Sequence, residues 1–352
     1  MMPSLNRPPL LQLCLSGMIV LFCLMVLYPP AAAMTYDDCL LNALKTAPAE
    51  TSVEEIRSDC SRYLNPETPL SSDTGTKPAT TAKPSVVGNR LEKESQTFDN
   101  PFALTPHRPN YILPATYSTS PNETPFTGSD HYSDNWEIKF QISLKYRVWD
   151  NLFQNNGDIY VAYTNQSWWE AYNSDESSPF RETNHEPESW LQFDYNPGFL
   201  GLDNTHLLLG AAHQSNGRSL PLSRSWNRVY LNLIGSVGNL AISLKPWYRI
   251  PENLKSSPEE TDGDDNPDIA RFMGYGELHT IYKWRESAFS MMLRNNLRTS
   301  ENKGAVTFGW TFPLFGKFKM YLQYFNGYGE SLIDYNASIN RFGAGLILSD
   351  WL

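Results

Sequence analysis

Residues 136–148 read WEIKFQISLKYRV. Trp136, Ile138, Phe140, Ile142, Leu144, Tyr146 and Val148 alternate without exception with Glu137, Lys139, Gln141, Ser143, Lys145 and Arg147. A period of two puts each set on its own face of a β-strand, one apolar and one polar and charged. Strands of soluble sandwiches run about five or six residues, whereas a tilted strand crossing a bilayer needs about nine to eleven. The length of this run therefore assigns it to a membrane.

Working outward, similar segments fall near 108–117, 136–149, 157–169, 189–196, 204–215, 225–234, 239–250, 271–283, 287–297, 304–312, 317–326 and 338–350. Their connections alternate too. Those near 150–157, 197–203, 235–239, 284–286 and 313–316 are short, and those near 118–135, 170–188, 216–224 and 251–270 are longer and polar. Short turns on the periplasmic side and long loops outside are the outer-membrane pattern. The expected fold is all-β, a 12-stranded antiparallel transmembrane β-barrel with an N-terminal periplasmic extension; a soluble sandwich is the alternative.

Composition agrees. The 352 residues are 41% hydrophobic and 19% charged, with a mean hydropathy of -0.44, which excludes a helical membrane bundle. The one apolar run long enough for a spanning helix is Leu10 to Tyr28. Arg7 before it and Pro29-Pro30-Ala31-Ala32-Ala33 after it complete the pattern of a signal peptide over 1–33, with an uncleaved anchor as the alternative. A net charge of -10 and the lack of a basic stripe exclude nucleic acid as a partner. Beyond the signal, Cys39 and Cys60 are an even pair, which in an exported chain reads as a disulfide. Residues 34–105 form an N-terminal extension and linker, with short helices near 35–64 and a Pro-, Ser-, Thr- and Lys-rich stretch over 65–95 that reads as disordered. The barrel spans 106–352.

The topology assigns a direction to each polar side chain. Leu207, Leu209, Ala211, His213 and Ser215 share one face of an ascending strand; Ser225, Asn227, Val229, Leu231 and Leu233 share one face of the next, opposite Arg228 and Asn232. The apolar members mark these faces as lipid-facing, so His213, Ser215 and Asn227 project outward near the outer leaflet, where polar groups are costly. A serine needs a base, and the base needs a third group to fix its tautomer. His213 and Ser215, two residues apart, suit the first pair, and Asn227 suits the orienting role. Amides of Ser215, Asn216 and Gly217 are candidates for an oxyanion site. The plain alternative is a set of polar residues at a strand's water interface. The histidines at 107, 131, 185, 206 and 279 lack this arrangement.

The stretch HQSNGRSLPLSRSWNR (213–228), with YTNQSWWE, SSPFRETN, LKPWYRI, DDNPDI, FMGYGEL and YGESLIDYN, closely resembles outer-membrane phospholipase A over most of 99–352. The resemblance implies a calcium-dependent phospholipase with A1, A2 and lysophospholipase activities, activated by homodimerisation. Matched residue by residue, Ser215 is the nucleophile, His213 the base and Asn227 its partner. Catalytic calcium is implied at the Ser223 side chain, the Arg218 carbonyl and the Ser177 carbonyl of the second copy. Asp265 matches one carboxylate of a second calcium position, but Leu220 stands where the family carries its partner Asp, so that site is in doubt, with Asp262 or Asp264 as substitutes. Other acidic residues of 259–268 read as a solvated turn. Further departures are a longer insertion at 251–263, Leu352 in place of a terminal aromatic, with Trp351 in its stead, and Asn165 where the family has Gln. Asn165 falls on the lipid face with Ile159, Val161 and Tyr163, so a copy of itself across a two-fold axis would satisfy its amide. Phe180 with Trp168 or Trp169 is expected to line a cleft between the copies. The rival reading is a barrel acting as a structural protein or passive pore.

Overall fold

The computed structural model describes residues 85–98, 103–127, 133–153, 156–175, 177–195, 201–257, 260–316 and 318–350, together with Lys45, Arg57 and Cys60. It divides into Met1–Thr80 and Thr81–Leu352. The signal peptide and Cys39 lie outside the described residues. Cys60 is buried and disulfide-bonded.

The second unit opens with helix α1 (Val86–Phe98) and the two-residue β1 (Thr105–Pro106). Then come β2 (Asn110–Ser118), β3 (Trp136–Trp149), β4 (Asp158–Trp169), β5 (Phe180–Tyr195), β6 (Asp203–Ser215), β7 (Ser225–Val237) and β8 (Leu240–Ile250). A short helix α2 (Ile269–Met273) precedes β9 (Gly276–Trp284), β10 (Ser287–Asn295), β11 (Gly304–Phe315), β12 (Phe318–Tyr328) and β13 (Ser338–Ser349). Each strand from β2 pairs antiparallel with the next, and β13 pairs back onto β2, so these twelve form a closed barrel; β1 only extends the edge of β3. Closure leaves no unpaired edge, as hydrocarbon requires.

The alternation of β3 is borne out. Glu137, Lys139, Gln141 and Ser143 are buried, whereas Trp136, Ile142 and Val148 are exposed. Two belts of exposed rings flank the apolar band: Trp136, Phe180 and Tyr248 at the long-loop end, and Trp149, Tyr195, Trp284 and Phe315 at the short-turn end.

Two strand boundaries depart from the sequence expectation. Strand β5 begins at Phe180 rather than 189, because its first half carries polar residues on both faces, including outward Thr183 and His185, so the amphipathic contrast vanishes. Residues 269–273 are helical rather than the start of a strand.

The stretch over 65–95 read as disordered includes most of α1. Val86 and Val87 pack on Ala241, Ile281 and Ala288 of the barrel interior, and Glu94 pairs with Lys145 at 2.8 Å and Arg90 at 2.8 Å. Composition registers how little this segment buries by itself but not the surface that another part of the chain supplies. Burial opposes the Glu94 carboxylate, yet Lys145 and Arg90 hold it below the usual carboxylate range. This anchor is complete above the unfolded carboxylate value and weakens as pH falls through the depressed one.

Ion pairs and an inserted loop crowd the lumen around a remaining cavity of about 260 Å³. Arg181 bridges Glu137 (2.6 Å) and Asp334 (2.7 Å); Arg341 bridges Glu137 (2.5 Å) and Glu330 (2.9 Å); Lys139 closes on Glu330 (2.9 Å). Glu330 and Asp334 belong to the β12–β13 loop, which also buries Leu332 and Ile333. A second network joins Arg108 and Arg228 to Glu186, and His107 and Lys245 to Glu188. Tyr160, Trp190, Trp226, Tyr230 and Trp247 belong to a buried cluster in the interior. Ion pairs and a loop laid across the interior argue against a wide passive pore.

Removing one partner of a buried pair strands the other charge. Arg181→Met, which strips Asp334 of its cation and leaves Glu137 with Arg341 alone, is expected to cost about 3–5 kcal/mol, read as a lower urea midpoint for loss of the heat-modifiable folded band.

Candidate active site on the outward face of the barrel

In the β6–β7 register His213 lies opposite Asn227 and Ser215 opposite Ser225. His213 is exposed and Ser215 and Asn227 half-buried, in line with exposed Leu209, Ala211 and Val229, while Ala212, Trp226 and Arg228 between them are buried in the lumen. The outward direction read from the alternation is thus the one found.

Asn227 Oδ1 lies 2.8 Å from His213 Nδ1. The amide orientation is fixed from behind, because Asn227 Nδ2 donates to Glu252 Oε1 at 3.0 Å and a carboxylate can only accept. With Oδ1 the acceptor, the proton sits on Nδ1 and the lone pair on Nε2. Ser215 makes no hydrogen bond to His213 among the described residues; nucleophile and base are commonly loose before substrate binds.

Asn216 shapes the loop that follows. Its Oδ1 accepts from the N–H groups of Arg224 (2.9 Å) and Arg218 (3.3 Å), and its Nδ2 donates to the Leu222 carbonyl (2.8 Å) and to buried Glu182 (3.4 Å). The Asn216 N–H is spent on the Arg224 carbonyl at 3.0 Å, which removes it from the expected oxyanion donors. Gly217 stands at φ 64°, a left-handed conformation glycine adopts at no steric cost, and its N–H has no partner among the described residues.

Around this loop the predicted metal ligands are distributed unevenly. Ser223 Oγ donates to Asp265 Oδ2 at 2.5 Å, which brings a hydroxyl beside a carboxylate; the Arg218 carbonyl belongs to the same 216–224 loop as Ser223. All three donors are oxygens, the set a hard cation takes. Ser177 lies apart in the exposed β4–β5 loop at φ 58°, with no hydrogen bond to Ser223 or Arg218. The second calcium position does not fit: Leu220 offers no ligand, the other Asp265 oxygen is ion-paired with Lys255, and Asp264 is buried in a bidentate pair with Arg249 at 2.6 and 2.5 Å. Asp264 is therefore neither solvated nor a spare ligand, whereas exposed Glu260, Asp262 and Asp268 match the solvated-turn reading. Among the described residues no cluster of three or more His, Cys, Asp or Glu is placed to hold a metal.

The sequence reading missed His185. It is the cross-strand partner of Ser215 and shares its outward face, with Nδ1 2.6 Å from the Tyr163 hydroxyl and 3.3 Å from Asn165 Nδ2. Only the register could have revealed this, and the register was hidden with the first half of β5. Asn165 Oδ1 also accepts from Ser167 Oγ at 3.2 Å, so one copy of the chain already satisfies the amide and a second copy is not required for that purpose. Of the proposed cleft residues, Trp168 is fully buried in the lumen, with Lys139 5.3 Å from its ring centre. Trp169 instead stacks outward on Phe180, centroids 5.5 Å apart at 10°.

A family model described as Phospholipase A1 matches residues 87–348. Phospholipase A1 of Klebsiella pneumoniae is 39% identical over 271 residues, 76% of this chain and 90% of that one. Two similar solved structures are an Escherichia coli outer membrane phospholipase A carrying an asparagine-to-alanine active-site mutation and a Salmonella typhi outer membrane phospholipase dimer with bound calcium. The first has a TM-score of 0.66 at 36% identity, covering 77% of this chain and 100% of that chain. The second has a TM-score of 0.65 at 37% identity, covering 73% and 96%.

Because Asn216 serves several backbone groups of one loop, Asn216→Ala is expected to raise amide exchange across 217–224 at least about tenfold while the core strands keep their protection. Equal protection in both proteins would show that the loop is held by other means.

Proposed function

The chain belongs to the phospholipase A1 family of outer-membrane phospholipases, and on that premise we propose that it cleaves acyl esters through Ser215, His213 and Asn227, with calcium and in a homodimer. The observation that carries this reading is the 2.8 Å bond from His213 to Asn227 on the lipid-facing surface, two residues from a serine on the same face. An asparagine is also the mutated active-site residue of the Escherichia coli neighbour.

In this reading Nε2 of His213 takes the proton from Ser215 Oγ as that oxygen attacks the acyl carbonyl carbon. The imidazolium then gives the proton to the departing glycerol oxygen, leaving an acyl-serine, and the same base activates the water that releases the fatty acid. Asn227 holds the ring so that Nε2 stays free. Gly217 supplies an N–H toward the oxyanion. The site faces hydrocarbon, so acyl chains of A1, A2 and lysophospholipid substrates reach it from the leaflet.

Ser223 Oγ and the Arg218 carbonyl are the oxygens of one copy that would hold the catalytic calcium ion. Calcium, when bound, supplies positive charge that stabilises the developing oxyanion. Exposed Ser177 suits the role of a ligand given to the neighbouring copy, which links activity to dimerisation, in keeping with the calcium-bound Salmonella typhi dimer.

In purified barrel, Ser215→Ala should lower acyl release at least about a thousandfold with calcium present; unchanged hydrolysis would sink the assignment. Calcium titration of a cross-linked dimer should give one ion per active site. Two ions per site would mean that the Lys255–Asp265 pair opens and a second site forms despite Leu220.

A further inference from the structure

We propose that Glu252 is a positioning residue of the catalytic apparatus, supplying from behind Asn227 the negative charge that an amide lacks. The inference rests on the Ser215–His213–Asn227 reading above. It starts from register. Asn227 pairs with Ile250 of β8, and Tyr248 and Ile250 are exposed on the outward face. Continuing that parity past the strand end brings Glu252, within the 251–263 segment, onto the same face. There its carboxylate accepts from Asn227 Nδ2 at 3.0 Å while Asn227 Oδ1 meets His213 at 2.8 Å. Hydrogen bonds thus link Glu252 to Asn227 and Asn227 to His213, with Ser215 two residues further along β6.

This geometry has two consequences. A carboxylate that only accepts forbids the flipped amide, in which an N–H would face Nδ1 and force the wrong tautomer. It also places a full negative charge in line with the imidazolium formed during attack, in a half-buried setting where screening is weaker than in water. No proton moves to Glu252. Among the described residues, the other titratable groups on this face include His185, the Tyr163 hydroxyl bonded to it, and Tyr248. Arg228 and Arg249 point inward to Glu186 and Asp264, so neither neutralises Glu252.

Charge and orientation separate in two variants. Glu252→Gln keeps an acceptor but loses the charge. It should lower kcat about three- to tenfold, leave KM unchanged, and move the acidic limb of the pH–rate profile down by about half a pH unit. Glu252→Ala, which also frees the amide, should lower kcat further. Asn227→Asp should be more damaging in the parent, where two carboxylates would face each other, than in Glu252→Gln, where the charge merely moves forward; a double-mutant cycle reads that sign reversal. The folded fraction is set by the heat-modifiable band, and NMR titration of the His213 ring should show the same downward shift in Glu252→Gln without any turnover. The proposal is overturned if Glu252→Gln and Glu252→Ala match the parent, or if both lose activity with an unmoved pH limb and ring titration, as a purely structural role would give. If Ser215→Ala stays active, the triad reading itself fails. If Ser215→Ala is dead and the Glu252 variants behave like the parent, only this inference does.

Discussion

Everything in this molecule depends on the absence of water around its backbone. In hydrocarbon each unpaired N–H or C=O costs several kcal/mol, so the strands must close, and the seam between β13 and β2 completes the ring. Once the outside is apolar, the polar half of every strand can only turn inward. That inversion produces the buried pairs of Glu137, Arg181, Arg341 and Glu330, which in a soluble protein would be an expensive core. Here they are the interior that an alternating strand is obliged to have.

The same closure makes the outward polar residues informative. The cross-strand row Ile142, Asn165, His185, Ser215, Ser225 runs along the outside through β3 to β7, with His213 and Asn227 beside it. A hydrogen-bonded sheet fixes these positions through the backbone, so the His213–Asn227 contact needs little further support than register. What register does not fix is the rotation of the Asn227 amide, and there a loop residue, Glu252, acts. The loop over 216–224 is likewise tied to the barrel interior through Asn216 and Glu182, so buried lumen residues reach the site from below.

Much of this was legible in the chain. Strict alternation in 136–148 carried the fold, because parity needs no knowledge of neighbours, and the outward direction of His213, Ser215 and Asn227 followed from the same parity. Where parity was silent the reading failed. His185 went unrecognised because β5 is polar on both faces at its outer end. Segment 86–98 looked too polar to order, since its burial is provided by Ala241, Ile281 and Ala288, far away in sequence. Asp264 looked available as a metal ligand because Arg249, its partner, sits on a strand whose inward direction matters more than its distance along the chain. Glu252 carried no signal of its own; only the pairing of Asn227 with Ile250 brings it near.

The central claim is that a nucleophilic serine faces the lipid. Its most direct test is covalent labelling of the folded protein in phospholipid vesicles with a fluorophosphonate bearing a long alkyl chain, followed by peptide mass mapping. The account predicts one adduct, on Ser215, formed faster by the long-chain reagent than by a short water-soluble one. Labelling at another serine, or a preference for the soluble reagent, would contradict it.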